Sequence, residues 1–133
     1  MNEIKLEIKD YYILLNLHKA LLEAKFHMDP DNIEVCYSPI IADLCNELVD
    51  LLIKLDGIKD EKNIAAWEDW RNIATKSFFR ERAVKNAALY KGWLEKDEEE
   101  KVRSAKILLS PFKATEEEIK AFIEDVDKEF VRD

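Results

Sequence analysis

Three carboxylates on one helical segment come nearest to a chemical site in this chain. Asp43, Glu47 and Asp50 stand at i, i+4 and i+7, a spacing that puts all three on one face of a helix. Clustered carboxylates are what a hard cation such as Mg²⁺ requires. The competing reading is a solvated face, because Ile41, Leu44, Cys45, Leu48, Leu51, Leu52 and Leu55 mark out the opposite, apolar side.

Asn46-Glu47-Leu48-Val49-Asp50-Leu51-Leu52 contains an E-x-x-D. Locally it resembles the all-α nucleotide pyrophosphohydrolases of the MazG-like kind, and the resemblance implies Mg²⁺-dependent hydrolysis at these carboxylates. That family also carries an E-E-x-x-E on the preceding helix, which is absent here. Glu7-Ile8-Lys9-Asp10 repeats the E-x-x-D spacing. If the first two helices pack antiparallel, however, Glu7 and Asp10 lie near Leu55, while Glu47 lies near His18 and Asp50 near Leu15.

Other nucleophilic or metal-binding constellations are thin. His18 falls on an apolar stripe and His27 ends the same segment; two separated histidines lack the local spacing of a zinc site. Ser38, Ser77, Ser104 and Ser110 have no G-x-S-x-G context. Cys36 has no neighbour in sequence that would depress its pKa. Two glycines cannot build a glycine-rich phosphate loop. No catalytic residue, cofactor or resident metal is therefore assigned, and Asp43, Glu47 and Asp50 stand as the metal candidates.

Trp67 and Trp70, at i and i+3, are candidate anchors for a protein partner, since tryptophan is enriched where interfaces concentrate their binding energy. Core mass is the alternative role for them. Residues 76–91 carry Lys76, Arg80, Arg82, Lys85 and Lys91, whereas the final segment, 115–133, is strongly acidic. Those two stretches are expected to pack side by side. The net charge of −8 argues against double-stranded nucleic acid and is compatible with a basic protein partner.

The positioning elements are helices. Two glycines and three prolines in 133 residues are too few for an all-β chain, and 47% apolar content excludes disorder. A single all-α domain over 1–133 follows, a compact bundle of five to six helices. One long helix occupies most of 3–27, with Asp10 as a candidate cap. The next has Ser38 as N-cap, Pro39 at its first position and Gly57 just past its end. Residues 61–95 divide near Thr75. A further helix runs from Asp97 to Leu109, and Thr115 with Glu118 forms a capping box for the last. Residues 4–8 and 33–37 alternate in polarity, so a minor two-stranded β element is the alternative for them.

The absence of a membrane-length apolar run, of a signal core and of a cysteine framework points to a cytoplasmic protein. The leading expectation is a non-enzymatic module docking on another protein, in the manner of an immunity protein, antitoxin or adaptor. The alternatives are the Mg²⁺-dependent pyrophosphohydrolase and an obligate homodimer whose helices complete each other's core.

Overall fold

A computed structural model describes residues 3–131; residues 1–2 and 132–133, included in the domain bounds above, lie outside the described residues. The chain is all-α. Its elements are α1 (Tyr11–Lys25), α2 (Glu34–Tyr37), α3 (Pro39–Lys59), α4 (Lys62–Trp70), α5 (Ser77–Ala87), α6 (Glu98–Leu109) and α7 (Glu116–Glu129). Single 3₁₀ turns at Ile73–Thr75 and Trp93–Glu95 flank α5. No helix among the described residues is long and apolar enough to cross a membrane.

The caps explain most boundaries. Asp10, Ser38 and Asp97 each accept a hydrogen bond from the backbone N–H three residues on, and Thr115 and Glu118 complete a reciprocal capping box. Residues 3–9 form neither helix nor strand, so the first helix begins only at Tyr11, just past its cap Asp10.

Two expectations need correction. The two-stranded β element does not form, because 34–37 is a helical turn. Asn32 Oδ1 accepts the Glu34 N–H, and Ile33, Cys36 and Tyr37 turn inward at i, i+3 and i+4. A helical period was thus hidden inside an alternating one. Nor does Gly57 end α3, which continues to Lys59. Its missing Cβ instead lets α4 approach, since a Cβ there would lie 2.8 Å from Ile64 Cγ1.

Two apolar clusters organise the packing. The larger joins α2, α5, α6 and α7 around Trp93, Leu108, Phe112 and Phe122. The smaller sits between α1 and α3 around Leu14, Leu48 and Leu52. The basic-to-acidic complement of α5 and α7 is realised: Arg80 pairs with Asp125 at 2.8 Å, and Lys85 pairs with Glu129.

Candidate functional site

The carboxylate face does not assemble into a cluster. Asp43 and Glu47 point into solvent from α3. Asp50 is engaged by Arg71, whose Nη1 donates to its Oδ1 at 2.7 Å. Arg71 is 3% exposed, and each of its three nitrogens donates. Its Nη2 reaches Asn46 Oδ1 at 3.1 Å and the Asn46 carbonyl at 3.3 Å, and its Nε donates to the Pro111 carbonyl at 2.9 Å. Among the described residues no three His, Cys, Asp or Glu side chains are grouped to hold a metal ion. The arginine therefore ties α3 to the 110–113 turn, using the carboxylate that the E-x-x-D would have needed.

The aromatic residues do converge. α4 follows α3 after a two-residue break, and its register is fixed by Asn63 Nδ2 donating to the Asp56 carbonyl at 2.9 Å. The i, i+3 spacing then turns both indoles toward α1. The His18 ring meets Trp67 at 5.7 Å between centroids and Trp70 at 5.3 Å, each nearly edge-to-face. The two indoles themselves stand 5.3 Å apart at 77°. Such edge contacts suit the quadrupoles of the rings.

Trp67 is held further by Asp56, whose Oδ2 accepts its Nε1–H at 2.8 Å and the Tyr11 hydroxyl at 3.2 Å. Trp70 leans on Phe112 at 4.8 Å. Trp67 thus belongs to the smaller apolar cluster and Trp70 to the larger, and the pair sits on the seam between them. Neither indole is fully buried. Their free faces, with His18, Leu15, Leu22 and Ala66, wall an open cavity of about 430 Å³, a size ordinary for a ligand pocket.

One cation, Lys19, lines that cavity, and a second, Lys76, stands outside its lining with its Nζ 5.9 Å from the Trp70 ring centroid. Burial, and secondarily Lys19, holds His18 below its ordinary pKa. The imidazole is therefore neutral near pH 7, and it acts as an aromatic wall. No bond joins it to Glu47; it has turned to α4 instead.

Comparison with models of protein families, with curated proteins and with solved structures finds no match for this chain.

Sequence reasoning missed one further group. Lys25 is 1% exposed, and its Nζ donates to the carbonyls of Ile107 and Ser110 at the C-terminal end of α6. The signal was present: Lys25 continues the stripe of Leu14, His18 and Leu22, where a charge is out of place. Burial pulls its ammonium down to about 8, while it raises the thiols of Cys36 and Cys45. Both cysteines are free and buried, and His27 is exposed at the end of α1.

Proposed function

We propose that this chain is a non-enzymatic protein-binding module that takes an apolar side chain of a partner segment into the His18–Trp67–Trp70 cavity. The observation that carries the reading is the pre-set pair of partly buried indoles. Their outer faces wall an apolar cavity while their inner faces and the Trp67 N–H are already committed to the fold. Rings fixed before binding lose little conformational entropy on binding, which is what an anchor pocket requires. Lys19, on the cavity wall, favours a partner segment with a carboxylate beside its apolar anchor. A site of this kind needs no cofactor, and Asp50, one of the three carboxylates of the hydrolase reading, is already paired with Arg71.

Selection of displayed peptides on the protein tests this. Enriched sequences should carry an aromatic or long aliphatic residue next to an acidic one. Ala66→Arg, at an exposed position on the cavity wall, should weaken them by about 30-fold or more, the scale of losing one anchor. Undiminished binding to that variant, or no enrichment at all, would refute the reading.

A further inference from the structure

Residues 3–9 read Glu-Ile-Lys-Leu-Glu-Ile-Lys. Among the described residues, none of their backbone N–H or C=O groups bonds to another backbone group. Ile4 is 96% exposed and Leu6 is 85% exposed, whereas Ile8 packs inward beside the smaller apolar cluster. Two large apolar side chains left in water, two residues apart, would share one side of a β-pleat.

The heptad of residues is complementary to itself when reversed. Laid antiparallel on a second copy with Leu6 opposite Leu6, it sets Glu3 against Lys9, Lys5 against Glu7 and Ile4 against Ile8. Every charge then meets its opposite on one face, and every apolar side chain meets another apolar one across the other face. The neighbouring registers fail. A slip of one residue sets charge against apolar side chain. A slip of two sets Lys5 on Lys5 and Glu3 on Glu7, or Glu7 on Glu7 and Lys5 on Lys9. A slip of four restores opposite charges but pairs only three residues; parallel alignment in register sets like against like, and a parallel shift of two restores opposite charges but pairs only five residues and is not two-fold symmetric. Among two-fold antiparallel registers this patterning favours the one centred on Leu6, where all seven residues are paired.

A bare two-stranded ribbon is marginal in water, so its apolar row needs cover. The surface beside Ile8 offers it: a cleft of about 570 Å³ between α1 and α3, walled by Tyr11, Leu51, Leu55 and Ile58. Ile58 there is 76% exposed.

We infer that two copies of this chain associate through residues 3–9 as a two-fold antiparallel ribbon, whose apolar row lies over the Leu51–Leu55–Ile58 strip of α3. The ribbon gives the closed, isologous interface typical of homodimers. It does not depend on the tryptophan cavity, so the two proposals can fail separately.

Sedimentation velocity on the full chain across the micromolar range tests the inference, with Lys5→Glu and Glu7→Lys as the variants. Both positions are exposed and outside the helices, so helical content should be unchanged. The wild type should dimerise. Each variant alone places two like-charged pairs across the symmetric ribbon and should dimerise at least about tenfold more weakly. An equimolar mixture of the two should recover the dimer, because the reversed charge on one copy then faces the reversed charge of opposite sign on the other. A wild type that stays monomeric, single variants that dimerise as the wild type does, or a mixture no tighter than its components would each overturn the ribbon.

Discussion

Arg71→Ala is expected to lower unfolding free energy by about 3–5 kcal/mol, because it empties a buried guanidinium site and strips the donors from one buried and several part-buried acceptors at once. The guanidinium serves the Pro111 carbonyl and both oxygens of Asn46 in addition to Asp50. Without it those acceptors face one another across a void between α3 and the 110–113 turn. The loss should not be credited to the ion pair, since the Asp50 side chain is 65% exposed and screened by water. Asp50→Asn should accordingly cost no more than about 1 kcal/mol. Arg71→Lys should fall between the two, as one ammonium cannot reproduce a planar fork of donors. Urea denaturation of the four proteins measures all of this. Equal losses for Asp50→Asn and Arg71→Ala would show that the pair, and not the hub, holds the turn.

Lys25 should make the protein's stability depend on pH in the alkaline range. Its folded-state pKa, about 8, lies below the ordinary lysine value of 10.5. Between those two values the unfolded chain binds the proton more tightly, so this group's contribution rises with pH across the window and is constant below it. The full swing is ~3 kcal/mol, from 1.36 kcal/mol per unit of pKa difference. Cys36 and Cys45 act in the opposite sense: burial raises their thiols, so the unfolded chain ionises first and stability falls as pH rises. The wild-type curve alone would mix these effects. The difference between wild type and Lys25→Met reports the lysine together with its coupling to the two thiols, and it should move in favour of the wild type by ~2–3 kcal/mol between pH 7.5 and 10. A difference independent of pH would mean that the carbonyls of Ile107 and Ser110 fully offset the cost of burying the ammonium.

Both residues show where a single sequence stops being informative. Caps and stripes are local, so α3 and α7 could be read from Ser38 and from Thr115 with Glu118, each of which makes its expected bond, while Asp97, read as the first residue of α6, is its N-cap. The convergence of His18 on Trp67 and Trp70 depends on how α4 turns back over α3, a contact set by Gly57 and Ile64. Spacing put the two indoles on one face; nothing in it placed a histidine between them and the core. Nothing local marks Arg71 as a hub, because its partners lie 21 to 40 positions away along the chain. Residues 33–37 misled for the reverse reason. Their alternation was real, but Asn32 and the buried Cys36 favoured a helical turn.

The three tryptophans supply the most direct test of the docking site. Trp67 and Trp70 wall the cavity, whereas Trp93 is wholly buried with its Nε1–H bonded to Asp127 at 2.8 Å. Fluorine NMR of 5-fluorotryptophan-labelled protein, assigned by single Trp→Phe variants, should show the Trp67 and Trp70 signals moving together as a selected peptide is titrated, with Trp93 stationary. Saturable binding that leaves both cavity signals where they were would place the partner elsewhere on the molecule and contradict the account.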